Sequence, residues 1–100
     1  MKSILTTLAL VLATAPAQAA LSGFYDSAEQ INKILSSAAV ADALRQASIG
    51  HVANTGTRSD GAHEWQVRTQ ECDLTIYLKP VPPQGVGKTT YELELGDACP

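Results

Sequence analysis

The sequence predicts an α+β fold: an N-terminal helix, kinked or split in two, packed on a four-stranded antiparallel β-meander with one disulfide. Three observations predict it. Before Gly50 the chain is rich in alanine, and apolar residues recur at helical spacing. After Gly50 apolar and polar residues alternate, the period of half-buried strands. The only two cysteines, Cys72 and Cys99, fall opposite one another when the last two strands are paired by their apolar faces.

The start of the chain stands apart from this domain. Met1-Lys2-Ser3 is a short basic segment, Ile4 to Ala15 is an apolar run, and Ala17-Gln18-Ala19 is a small-x-small site. That is the pattern of an export leader cleaved after Ala19, and its brevity suits a bacterial signal. The apolar run is too short to span a bilayer and is broken by Pro16. Residues 1–19 are therefore expected to be a signal peptide and residues 20–100 one small domain, periplasmic or secreted. No cysteine stands at the new N-terminus to carry a lipid, and no later stretch suits a transmembrane helix.

Removing Lys2 leaves six Lys and Arg against ten Asp and Glu, a net charge of −4. This balance argues against nucleic acid and anionic membrane as partners, since both attract basic patches. A domain of this size buries a thin core and gains from a staple. An oxidising compartment supplies one through Cys72 and Cys99.

Along the domain, Leu21 to Tyr25 is a lead-in whose Phe24 and Tyr25 are expected to dock on the fold. Asp26-Ser27-Ala28-Glu29 has the spacing of a capping box. The helical stretch then runs to about Ala47, with Ile31, Leu35, Ala38 and Ala39 and then Val40, Ala43, Leu44 and Ala47 as its apolar stripe. Ser36-Ser37 is where it bends or restarts, and Gly50 is the expected residue after its C-cap. His51–Thr55 reads as a first strand, and Gly56–Gly61 as a turn ending on Asp60-Gly61. His63–Thr69 is a second strand with Trp65, Val67 and Thr69 on one face. Cys72–Lys79 is the third, with Leu74, Ile76 and Leu78 inward. Pro80–Gly87 is a loop, and Thr90–Leu95 a last strand with Tyr91, Leu93 and Leu95 inward. Pairing Leu78 with Leu93 puts Ile76 against Leu95 and Cys72 against Cys99.

Chemistry is sparse. Gly85-Val86-Gly87-Lys88-Thr89 resembles the end of a phosphate-binding loop, but Pro82 occupies the position of its first glycine and a strand follows it. His51, Asp60, His63 and Glu64 sit in or beside the first hairpin, and the two histidines are the leading metal candidates among them. They lack the spacing of a zinc motif, so no metal and no cofactor is expected. Neither a nucleophile–base pair nor a pocket for paired carboxylates is discernible, so an enzyme is not expected. The more informative surface is the outer sheet face with Tyr77 and the stiff Pro80-Val81-Pro82-Pro83 segment, which presents side chains at low ordering cost. The expected function is a non-enzymatic exported domain that binds another protein, of inhibitor, immunity or envelope-accessory type. The alternative is a small metal- or ligand-binding domain using His51 and His63.

Overall fold

The structure, a computed structural model, describes residues 21–100. The leader and cleavage site expected from the sequence lie outside the described residues. Two helices, α1 (Gly23–Leu35) and α2 (Ala38–Ala43), precede four strands: β1 (His51–Thr57), β2 (His63–Arg68), β3 (Asp73–Val81) and β4 (Thr90–Leu95). The strands form one antiparallel sheet in the order β1-β2-β3-β4. The helices cover one face. Among the described residues no helix is long and apolar enough to cross a membrane.

The helical region splits where the serines predict, but its ends lie elsewhere than expected. Ser22, not Asp26, caps α1, its hydroxyl accepting from Tyr25 N–H at 3.4 Å. Asp26 lies in the first turn and turns its carboxylate to the sheet. Ser36 closes α1 by donating to the Asn32 carbonyl, and Ser37 opens α2 by accepting from Val40 N–H at 3.3 Å. A hydroxyl thus terminates one helix and its neighbour nucleates the next.

The end of α2 comes well before Gly50. Arg45 and Gln46 both adopt left-handed backbone, with φ of 54° and 58°. Gln46 N–H reaches the Ala41 carbonyl and Arg45 N–H the Asp42 carbonyl. These crossed bonds satisfy the last carbonyls without a glycine. Gly50 instead joins the sheet, donating to the Arg68 carbonyl at 2.8 Å.

The core is Ile34, Val40 and Leu44 from the helices against Ala62, Trp65, Val67, Leu74, Ile76 and Leu78 from the sheet side. Ile34 replaces the expected Leu35, which is exposed. Burying side chains such as these contributes roughly 1.5–3 kcal/mol each.

The first hairpin is longer than its sequence suggests. β1 continues to Thr57, and Gly56 is absorbed into the strand beside a bulge between Asn54 and Gly56. Arg58 pairs with Ala62, and Gly61, at φ 92°, closes the turn with its N–H on the Arg58 carbonyl. At the other end, β3 runs through Pro80 and Val81, paired with Tyr91 and Thr90, where a loop was expected. Proline is tolerated there because β2 has already ended at His63, opposite Leu78, leaving β3 a neighbour on one side alone.

The β3–β4 register pairs Leu78 with Leu93 and Ile76 with Leu95, as the apolar pattern predicts. Gly96 N–H continues the ladder to the Thr75 carbonyl at 2.7 Å. A side chain at 96 would collide with the Thr75 backbone, so glycine is needed for this approach. The same register brings Cys72 to Cys99, disulfide-bonded with Cα atoms 5.8 Å apart. Replacing both cysteines by serine should lower unfolding free energy by about 3.5 kcal/mol, the chain-entropy value for a loop of this length. Urea denaturation of the variant against the oxidised protein measures it.

Candidate functional site

Two polar constellations stand out, one on each face of the sheet. On the helix side, Trp65 is buried and its indole N–H needs an internal acceptor. Gln30 of α1, 3% exposed, supplies its Oε1 at 2.9 Å. The Gln30 amide nitrogen donates onward to Asp26 Oδ2 at 3.2 Å and to the Tyr91 hydroxyl at 3.3 Å. The Tyr91 hydroxyl in turn donates to the Asp26 carboxylate at 2.8 Å. Asp26, Gln30 and the inward Ile34 are spaced by four residues along α1, so one helix row delivers the acceptors and the apolar plug together. Burial, reinforced by Asp26, pushes the Tyr91 hydroxyl up to about 12. His63 meets the Tyr91 ring edge-to-face at 5.6 Å between centroids. Every polar group of the network is satisfied by another member or by solvent, so it fastens α1 to β2 and β4.

On the outer face, Arg58 leaves the β1–β2 turn and lies across the sheet. Its guanidinium rests 4.3 Å from the centroid of the Tyr77 ring on β3. It pairs with Glu94 of β4 at 2.6 Å and with Asp60 of its own turn at 2.9 Å. Those contacts hold the Asp60 carboxyl down at about 2 and lower that of Glu94 as well. Arg68 and Asp73 form a second ion pair at 2.8 Å, which lowers Asp73. Arg58 and Arg68 thus hold three carboxylates of this face in place.

The residues singled out in the sequence are distributed as follows. Tyr77 and Val81 share the outer face, four residues apart on β3. Tyr77 is half covered by Arg58, which apolar periodicity does not reveal. Pro80 turns to the helix side opposite Tyr91. Pro82 and Pro83 are exposed at the start of the β3–β4 connection. His51 and His63 do not meet: His51 pairs with Arg68 and His63 with Thr57, at opposite ends of the hairpin. Six residues of strand, about 20 Å, separate those ends. Among the described residues no three His, Cys, Asp or Glu side chains converge as a metal site.

Pattern reading missed Gln30, Asp26 and Arg58. A signal for the first two existed, since a buried tryptophan requires an acceptor and Asp26, Gln30 and Ile34 share helical spacing. Phe24 and Tyr25, expected to dock, point into solvent instead, 77% and 63% exposed.

The connection between β3 and β4 is exposed along most of its length, from Pro82 to Lys88. Pro82 to Gly85 carries two prolines, and Val86 beyond them is 90% exposed. The loop is fixed at its base by the Val81–Thr90 pair and at one side by an ion pair between Lys88 and Glu29 of α1. Comparison with protein-family models, with curated proteins and with solved structures yields no match to this chain.

Two outcomes test the helix-side network. Gln30→Leu should cost about 2 kcal/mol, because it strands the Trp65 N–H in the core. Adding Trp65→Phe should recover part of that loss, and thermal unfolding of the three proteins reads it. Tyrosinate absorbance should show a late component near pH 12 that Tyr91→Phe removes. Because this folded-state value lies above the ordinary tyrosine value of 10, the stability it contributes is full below pH 10 and lost as pH rises toward 12.

Proposed function

We propose that this chain is an exported, non-enzymatic domain that binds another protein through the β3–β4 connection and the adjoining outer sheet face. The observation that carries the reading is Val86, 90% exposed on a loop whose base and flank are both tied down. An apolar side chain held out from an anchored loop contributes contact area with little ordering cost on binding. Pro82 and Pro83 stiffen the approach to it, and Val81 extends the surface onto the sheet. The leader-like pattern of residues 1–19 and the disulfide are both compatible with a periplasmic or secreted protein.

The outer face supports the binding role by the carboxylates its arginines hold in place. Arg58 over Tyr77, with Glu94 and Asp60 around it, forms a firm polar rim beside the loop. Rims of this kind contribute orientation more than affinity. The carboxyls of Asp60, Asp73 and Glu94 are each held by an arginine, which keeps them ionised and fixed in that rim.

The test is affinity capture from the native envelope extract with three baits: the mature domain, its Val86→Asp variant, and a reduced and alkylated form. One protein should be retained by the oxidised wild type and bind at least about tenfold more weakly to Val86→Asp, a loss of about 1.4 kcal/mol. Equal capture by wild type and variant would remove the loop from the binding surface.

A further inference from the structure

Asp60-Gly61 is the only Asp-Gly pair in the chain, and it sits in the β1–β2 turn. Such a pair carries a chemical liability, because glycine has no side chain to keep its amide nitrogen away from the preceding carboxyl. The Gly61 nitrogen can bond to Asp60 Cγ while the C–OH bond of the carboxylic acid breaks and water leaves. The product is a five-membered imide, and water then adds back at one of its two carbonyls. Opening at the side-chain carbonyl restores aspartate. Opening at the main-chain carbonyl routes the backbone through Cβ and Cγ, as isoaspartate. The reaction needs a neutral acid, since a carboxylate has no good leaving group, and a nitrogen free to turn toward Cγ.

The turn withholds both, chiefly through one residue. Arg58 Nε and Nη2 donate to Asp60 Oδ1 and Oδ2, each at 2.9 Å, a two-pronged pairing that favours the ionised carboxylate. Ala62 N–H adds a third donor, to Oδ1 at 3.2 Å. Together they hold the carboxyl down at about 2. The main chain of Arg58 acts on the nitrogen, because Gly61 N–H donates to the Arg58 carbonyl at 2.9 Å. Turning that nitrogen toward Cγ breaks the bond that closes the turn. The guanidinium is itself anchored, with the Tyr77 ring against it and Glu94 on Nη1 at 2.6 Å. Burial gives no protection here, since the Asp60 side chain is 42% exposed and water has access to it.

We propose that Asp60-Gly61 is a latent isomerisation site, held closed by Arg58 through both its guanidinium and its carbonyl. The consequence of opening reaches beyond the turn. Isoaspartate lengthens the main chain by one carbon and carries its carboxylate on Cα, which displaces that group from the Arg58 fork. The Gly61–Arg58 bond is lost with it, and the guanidinium keeps Glu94 and Tyr77 alone. The outer face then lacks one of its three arginine-held carboxylates. This assignment concerns the covalent state of the turn and holds whether or not that face binds a protein.

The test ages wild type and Arg58→Gln side by side at about pH 5, where an ordinary Asp still carries some neutral acid, and counts isoaspartate at position 60 by peptide mapping. Arg58→Gln should accumulate it at least about tenfold faster, from the gain in neutral acid as the carboxyl returns from about 2 toward its ordinary 3.8. In strong denaturant, where the turn is gone, the two proteins should age at one rate. Glu94→Gln, which loosens the outer face but leaves the Asp60 fork, should stay close to native wild type. Equal native rates for wild type and Arg58→Gln overturn the proposal. So does a Glu94→Gln that ages as fast as Arg58→Gln, or a native wild type that ages as fast as its denatured form. Denatured rates that differ as much as the native ones overturn it too.

Discussion

A single buried hydrogen bond, from the Trp65 indole to Gln30, sets the relation between helix and sheet. An apolar core alone allows a helix to slide or roll over a strand face at small cost, since dispersion contacts have little direction. The indole N–H has one direction and one tolerable outcome, because leaving it unpaired in the core costs most of its desolvation. Gln30 answers it and passes the constraint on to Tyr91 and Asp26. Helix position, helix rotation and the start of β4 are thereby fixed together. The apolar residue Ile34 then falls into the core, and the aromatic pair Phe24–Tyr25 is turned outward by the same rotation.

The opposite face is organised by a different principle. No apolar layer covers it, so order comes from one long side chain spanning the sheet. Arg58 ties the β1–β2 turn to β3 through Tyr77 and to β4 through Glu94. Individually such exposed contacts contribute little, but they share one guanidinium and restrict one loop. The face is therefore ordered without being apolar, and it sits beside the projecting β3–β4 connection.

Much of the sheet was legible from alternation alone. The inward row of Leu74, Ile76 and Leu78, the Leu78–Leu93 register and the cysteine pairing all follow from a period of two, and a slip by one residue would have inverted every side chain. The helical half was less legible. Ser22 precedes a glycine and an aromatic pair that give no helical signal, whereas Asp26 and Glu29 imitate a cap while Asp26 is committed to Tyr91. The α2 terminus was hidden because two ordinary residues, Arg45 and Gln46, adopt the left-handed backbone usually reserved for glycine. Pro80 read as a loop residue since its tolerance in β3 depends on where β2 stops, a tertiary fact. At the candidate site Val81, Pro82 and Pro83 were visible as a stiff segment, but the burial of Tyr77 under Arg58 was not. A side chain reaching from one hairpin across the sheet to another leaves no local periodicity.

The cysteines also order the assembly of the domain in time. Cys99 lies 27 residues beyond Cys72 and follows β4. On a chain that emerges from its N-terminus, both helices and the first three strands can assemble while Cys72 is still an unpaired thiol and β3 is still an open edge. The covering of that edge by β4 and the oxidation of the thiol both wait for the proline-rich connection to pass, and Cys99 emerges four residues after β4 ends. The bond therefore seals a sheet whose register the leucines have already chosen. An oxidant acting earlier would find Cys72 with no partner from its own chain among the segments already emerged, so the interval before Cys99 appears is when mixed disulfides with other thiols can form.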